Sequence, residues 1–313
     1  MRAVVDIGSN SVKFVIAENQ HGVPNVVLKG SQVTRLGKDL EKSKVLAQSA
    51  LDATGDALKE FANIFLEKAV SLETHCIVLA TSAVRDCQNP EVMHDIVKRT
   101  LKCPLKVLSG VEEARISIAG AQSAAELMFP NAQHVFIEIG GASTQISISK
   151  PSFMGESFQV GAVRAHERLG IGRRAFNPVE FVKLENTLLE FFDVSKLDAL
   201  EKSWNLSERP TRALGIGGTL VMALKSSGAL RIDDCGYRGH LSNFCAFNQK
   251  IAQVTADERL KMLDIEKGRE DILVTGSACL TTLLKYFGIE EFGVSEWGLR
   301  HGALKLWDEI QSL

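Results

Sequence analysis

Two stretches of the chain share one hydrophobic pattern. Val4 to Ile16 (VVDIGSNSVKFVI) and Phe136 to Ile148 (FIEIGGASTQISI) each run apolar up to a carboxylate, pass a turn of small residues, and leave on a second alternating apolar run. Position by position, Asp6 meets Glu138, Gly8 meets Gly140, Ser11 meets Ser143 and Ile16 meets Ile148. Apolar runs on both sides of a Gly/Ser turn predict a β-hairpin in each copy. The copies lie far apart in the chain, so they are not neighbouring hairpins of one meander.

Between them the pattern predicts further strand over Val26 to Leu36 and an amphipathic helix over Leu46 to Lys68, with Leu51, Leu58, Phe61 and Phe65 on one face. A short buried strand follows at Ile77 to Ala80, then a loop from Ala80 to Pro90, a helix over Glu91 to Leu101 and a strand at Leu105 to Leu108. A helix over Val111 to Met128 ends at Phe129, Pro130 and Asn131, placing a boundary near Ala121 to Ala132. Helices near Pro178 to Glu190 and Thr219 to Lys225 continue the strand–helix alternation, so the class is α/β.

Composition changes this picture little. The 313 residues suffice for two domains with their own cores, and a net charge of −2 excludes bulk binding to nucleic acid or anionic membrane. A polyanion therefore needs a local basic patch, for which Arg164, Arg168, Arg173 and Arg174 are candidates. No run reaches the roughly 18 apolar residues of a membrane span, and Asp6 interrupts any signal-like N-terminus, so a cytoplasmic protein is expected. The six cysteines show no C-x-x-C spacing and read as reduced thiols. Cys235, His240 and Cys245 lack the fourth ligand that a zinc site would need.

The candidate chemistry is phosphoryl chemistry. Tips of small residues, Gly8, Ser9, Asn10, Ser11 and Gly140, Gly141, Ala142, Ser143, Thr144, let backbone N–H groups approach an anion, with hydroxyls of Ser11, Ser143 and Thr144 as extra donors. A third turn, LGIGGTL at Leu214 to Leu220, adds Gly217, Gly218 and Thr219. Adjacent helical residues point about 100° apart, so only one of Glu112 and Glu113 can face a given cleft. One reading is dipole compensation at a helix start, the other a general base that orients water toward a phosphoryl group. Arg85 offers a fork of donors to phosphate oxygens, or pairs with Asp86. Asp6 and Glu138 are suited to a hard divalent cation, Mg²⁺ first.

These strings resemble, in order, those of the Ppx/GppA family of exopolyphosphatases and guanosine pentaphosphate phosphohydrolases, members of the actin-like superfamily. The resemblance spans almost the whole chain: DIGSNS (Asp6 to Ser11), RLG (Arg35 to Gly37), ATSAVR (Ala80 to Arg85), SGVEEAR (Ser109 to Arg115), IGGAST (Ile139 to Thr144), GAVR (Gly161 to Arg164), GIGGT (Gly215 to Thr219), Arg269 and GLRHG (Gly298 to Gly302). It implies two actin-like (ribonuclease H-like) domains, residues 1–124 joined by a C-terminal helix at about 300–313, and residues 125–299, with a phosphate-binding cleft between them and no C-terminal HD-like helical domain. It implies Glu113 as catalytic base, Arg85 as the phosphate arginine, and Mg²⁺, with Mn²⁺ as an alternative. The substrate would be polyphosphate or a guanosine penta- or tetraphosphate, and a homodimer is compatible with it.

The second tip departs from the family pattern. DIGGGSTE becomes EIGGASTQ, so Glu138 gains a methylene, a displacement of about 1.5 Å, and Gln145 replaces a carboxylate by an amide. Metal ligation by Asp6, Glu138 and Gln145 is thus expected to be weaker than the family norm, and His301 also stands where a glutamate is usual. The leading expectation is a metal-dependent hydrolase of the terminal phosphate. A catalytically weak sensor of an alarmone or polyphosphate is the alternative. An actin-superfamily kinase is more distant, because sugar kinases carry a threonine-bearing first loop where this chain has SNS.

Overall fold

The computed structural model describes residues 1–20, 23–148, 153–204 and 209–312. Its strands are β1 Arg2–Ile7, β2 Ser11–Gln20, β3 Val23–Val33, β4 Cys76–Ala80, β5 Leu105–Val107, β6 His134–Ile139, β7 Thr144–Ile148, β8 Met154–Phe158, β9 Arg212–Ile216, β10 Leu230–Ile232, β11 Gly236–His240 and β12 Glu291–Ser295. The helices are α1 Leu40–Ser43, α2 Gln48–Glu67, α3 Ser82–Arg85, α4 Pro90–Leu101, α5 Gly110–Met128, α6 Ala162–Leu169 and α7 Pro178–Phe191. They continue with α8 Val194–Ser203, α9 Gly218–Ser226, α10 Leu241–Ala252, α11 Ala256–Met262, α12 Leu273–Phe287, α13 Leu299–Lys305 and α14 Trp307–Ser312. Two compact units result, Met1–Gly120 with Gly298–Leu313, and Ala121–Trp297.

Each unit is built on one sheet, and the two sheets repeat a single plan. In the first the order is β3-β2-β1-β4-β5, antiparallel across β3, β2 and β1 and parallel across β1, β4 and β5. In the second, β8-β7-β6-β9-β12 repeats that order and sense, and an antiparallel hairpin of β10 and β11 extends the edge beside β12. This ribonuclease H-like arrangement is the one the sequence implied, and β6 plays in the second unit the part of β1 in the first.

Burial of both sheet faces explains why the strands read as nearly continuous apolar runs. In the first unit Ala3, Val5, Ile7, Val12 and Phe14 pack with α2 and α4, whereas Val4, Val15, Ile77 and Leu79 pack with Ile116 of α5 and with α13 and α14. Asp6 and Lys13 fall between the residues of this second face, and they are register partners across β1 and β2. The same parity holds in the second unit, where Val135, Ile137, Ile139 and Ile146 face the core and Glu138 pairs with Gln145.

Several sequence expectations shift. β3 ends at Val33 instead of Leu36, the segment from Ala80 to Pro90 contains the helical turn α3, and the single C-terminal helix is two, α13 and α14. Cys235 donates to the carbonyl of Ile232, and His240 caps α10 by accepting from the Ser242 amide; among the described residues no cluster of three His, Cys, Asp or Glu side chains is placed to hold a metal. Among them, too, no helix is long and apolar enough to cross a membrane.

The GLRHG glycines turn out to be packing residues. A Cβ on Gly302 would lie 1.7 Å from the Ile116 carbonyl oxygen, and one on Gly120 would lie 2.2 Å from that of Gly298. The backbones of α5 and α13 therefore approach at van der Waals distance with no room for a methyl group. Gly302→Ala is expected to destabilise the protein by about 3 kcal/mol, read as a lower urea midpoint; a midpoint unchanged from the parent would show that this contact is not tight.

Candidate active site

The adjacent glutamates divide the two roles between them. Glu112 accepts from the Ser109 amide at 2.8 Å while its own amide donates to Ser109 Oγ at 3.2 Å, so it completes a capping box at the start of α5. Glu113, one position on, is 4% exposed and faces Arg85. Arg85 donates through Nη1 to Glu113 Oε2 at 3.1 Å and to the Leu108 carbonyl at 2.8 Å, and its Nε lies 3.4 Å from Asp86. Its Nη2 is buried without a hydrogen-bond partner, which leaves donors for an incoming oxyanion. Strand register makes this meeting possible: β4 and β5 run side by side with Ala80 opposite Val107, and their carboxyl ends lead into α3 and α5.

Burial pushes Glu113 up to about 7 from an ordinary value near 4.5; Arg85 opposes the shift, and the charges of Asp6 and Asp86 add to it. Asp6 is itself raised, by burial, against the opposing fields of Lys13 and Arg300. Arg300, from the GLRHG string, anchors on the Phe14 carbonyl at 2.8 Å. One face of the first unit thus carries a carboxylate poised near neutrality, an arginine and a second carboxylate.

Both tips have the same closure, with the Gly8 amide donating to Ser11 O at 3.2 Å and the Gly140 amide to Ser143 O at 2.9 Å. Their carbonyls are tied back from behind. In the first tip, Ser9 O accepts from Gly37, and Asn10 O accepts from Thr34 and Arg35. In the second, Gly140 O accepts from Ala162, and Gly141 O accepts from Val163 and Arg164 in the first turn of α6. A carbonyl aimed at a phosphate would repel it, so engaging these oxygens elsewhere favours anion binding. The RLG and GAVR strings thereby acquire a role that the sequence alone did not supply. Close approach requires their glycines: a Cβ on Gly37 would lie 2.8 Å from Ser9 Cβ, and one on Gly161 2.6 Å from the Gly141 backbone.

Not every expected phosphate ligand is free for that work. Thr144 spends its hydroxyl on the Val160 carbonyl at 2.5 Å and is fully buried, so it is a structural residue. Ser9 shares a hydrogen bond with Ser82 of α3 at 3.2 Å, linking the tip to the turn that carries Arg85. Asn10 keeps its buried Nδ2 without a partner, a donor available to a ligand. Gly217, at φ 138°, turns β9 into α9; a Cβ there would meet the Ile139 carbonyl at 2.5 Å, so this third turn packs directly beside the second tip. Gly218 and Thr219 then open α9, whose first amides favour an anion.

The basic patch does not form. Arg164 is buried and donates to Gln159, Arg168 lies over the Phe191 ring, Arg173 pairs with Asp257 and Glu270, and Arg174 pairs with Glu180. Each is committed within the second unit. Of the metal candidates, Glu138 and Gln145 are register partners. Gln145 is 1% exposed and donates through Nε2 to Ser143 at 2.9 Å and Ser157 at 3.2 Å, leaving Oε1 buried and without a hydrogen-bond partner beside its register partner Glu138. Two oxygen donors side by side fit a hard divalent cation that keeps waters in its remaining positions. Asp6 offers the corresponding carboxylate in the first unit, where Lys13 stands in the place of Gln145.

The raised Glu113 carries a stability signature. The folded state holds a proton that the unfolded chain has released, so stability present below about pH 4.5 is lost as pH rises through about 7. Glu113→Gln removes that loss. Above pH 7 the variant should be more stable than the parent by on the order of 2–3 kcal/mol, with the difference vanishing near pH 4.5; a variant less stable at pH 8 in denaturant titration would contradict the assignment.

The profile of the Ppx/GppA phosphatase family matches residues 15–309. The chain is 27% identical over 312 residues to a bifunctional 3-dehydroquinate synthase/phosphatase of Fusobacterium nucleatum, covering 95% of this chain and 45% of that protein. It is 26% identical to a guanosine-5'-triphosphate,3'-diphosphate pyrophosphatase of Pseudoalteromonas translucida, covering 96% of this chain and 58% of that one. The chain thus spans about half the length of these curated relatives. Among solved structures, an exopolyphosphatase from Cytophaga hutchinsonii superposes with a TM-score of 0.87 at 24% identity, over 98% of this chain and 97% of that one. By profile and by fold, the chain belongs to the Ppx/GppA phosphatase family.

Proposed function

We propose that this chain is a metal-dependent phosphohydrolase that removes the terminal phosphate of inorganic polyphosphate or of guanosine pentaphosphate in the cytoplasm. The observation that carries the reading is Glu113, buried against Arg85 and pushed up to about 7. A general base works best with a pKa near the working pH, and a buried carboxylate in that range can take the proton from an attacking water. Arg85 keeps Glu113 oriented and directs its unpartnered Nη2 at developing phosphoryl charge. Family membership supports the reaction class, and the names of the relatives support the two substrates.

Glu138 and Gln145 would hold Mg²⁺, or Mn²⁺ in its place, and Asp6 is the matching carboxylate of the first unit's own hairpin. Bound metal supplies Lewis-acid neutralisation of phosphate oxygens. The residues of the chain do the rest: the tips bind phosphate through amides freed of competing carbonyls, Glu113 moves the proton, and Arg85 stabilises negative charge. Water attacks phosphorus, the bridging oxygen leaves with the shortened chain or the nucleotide, and inorganic phosphate departs.

Purified protein with Mg²⁺ or Mn²⁺ is expected to release phosphate from at least one of the two substrates. Its kcat/KM should rise with pH on a limb governed by an ionisation near 7, where Glu113 becomes a base, and Glu113→Gln should lower kcat by about 10²–10⁴-fold. No phosphate from either substrate with any metal would remove the hydrolase reading.

Gln145 supports a second reading, in which the chain binds alarmone or polyphosphate with little turnover. A neutral amide holds a divalent cation less well than a carboxylate. Gln145→Glu should therefore tighten Mg²⁺ dependence and raise turnover about tenfold or more; binding by calorimetry without turnover in either protein would favour the sensor.

A further inference from the structure

The first unit contains a pair of cysteines that the phosphoryl chemistry does not use. Cys76 opens β4, and Cys103 stands two residues before β5. The strands are parallel with Val78 opposite Leu105, so Cys76 and Cys103, each two residues earlier, lie at the same end of the strand pair. Side-chain parity agrees: Cys76, Val78 and Ala80 of one strand, and Cys103 and Leu105 of the other, belong to one core cluster on one face of the sheet. Adjacent strands lie about 4.8 Å apart, within the Cα separation of about 4.4–6.8 Å that a disulfide spans. The two thiols are close enough to shift each other's titration, and both are buried, 5% and 4% exposed.

We propose that Cys76 and Cys103 are a reversible disulfide site, oxidised by a peroxide or by exchange with a small-molecule disulfide, that clamps β4 to the segment entering β5. The neighbouring Cys76 thiol draws Cys103 below the ordinary thiol range while Cys103 and burial push Cys76 up, so Cys103 is assigned as the attacking sulfur. With peroxide, the Cys103 thiolate attacks the O–O bond, giving a sulfenic acid and releasing water. The Cys76 sulfur then displaces the sulfenic oxygen, forming the S–S bond and a second water. Two electrons and two protons pass from the thiols to the peroxide. With a small disulfide, the same thiols exchange through a mixed disulfide and release two small thiols.

The placement gives the bond a consequence. The opposite ends of β4 and β5 lead to Arg85 and Glu113, so a cross-link at the near ends would fix the strand pair that brings those two side chains together. The other four cysteines are internal controls: Cys87 and Cys235 donate to the carbonyls of Val84 and Ile232, and Cys245 and Cys279 lie elsewhere, on α10 and α12.

The test is a thiol map of the folded full chain after treatment with hydrogen peroxide or oxidised glutathione, alkylation and proteolysis. The expected result is one cross-linked peptide pair joining Cys76 and Cys103, a fall of two in the six alkylatable thiols, reversal by dithiothreitol, and a rise of about 10 °C in the unfolding midpoint of the oxidised protein. Cys76→Ser should accumulate a dimedone-reactive sulfenic acid at Cys103. A map in which Cys76 and Cys103 remain alkylatable at oxidant levels that consume the less buried Cys87 and Cys245, or in which either pairs with another cysteine, overturns the proposal whatever the variant does.

Discussion

Glu113 is buried beside the Arg85 guanidinium, and several contacts of the first unit keep that cation in place. Removing a carboxylate from water disfavours its charged form by several pKa units unless a partner compensates. Arg85 compensates only in part, so Glu113 settles near neutrality instead of in the usual acidic range. The pair exists because β4 and β5 are parallel neighbours whose carboxyl ends release α3 and α5 side by side. The Leu108 carbonyl and Asp86 then hold the guanidinium against rotation. Tight packing of α5 on α13 at Gly302 keeps the helix that bears Glu113 from sliding. A buried, partly compensated charge is a local loss of stability of the kind that clusters at functional sites.

The two hairpin tips share a second constraint, the engagement of their carbonyls from behind. Each unit meets it in the same way, with a later segment donating amides to the back of the hairpin turn. In the first unit that segment is the RLG loop, and in the second it is the start of α6. The two sheets share order, sense and side-chain parity, so one solution serves both hairpins. The carboxylate positions of the two hairpins then diverge. Asp6 lies opposite Lys13 and in the field of Arg300, whereas Glu138 lies opposite a neutral amide with an open oxygen.

Much of this could be read from residue order alone. Alternation and turn residues located both hairpins, and the helix of Leu51, Leu58, Phe61 and Phe65 emerged within two residues at its ends, because each is a local pattern with one buried face. Helix α12 escaped notice because it is buried on almost every side and so has no amphipathic period. At the site, spacing marked Glu112 and Glu113 as a pair but could not divide them, since that division depends on Arg85 arriving from another strand. Thr144 was taken for a phosphate donor because nothing local reveals Val160 behind it. The four arginines looked like a patch in sequence, but acidic and aromatic partners from separate elements disperse them.

The claim on which the account turns is that Glu113 titrates near neutrality in the free, folded protein. Carbon-13 NMR of protein labelled at the glutamate side-chain carboxyl reads this directly, with Glu113→Gln assigning the resonance. The expected result is a glutamate signal with a midpoint close to 7 that is absent from the variant. A Glu113 signal titrating near its ordinary value of 4.5 would contradict the account at its centre.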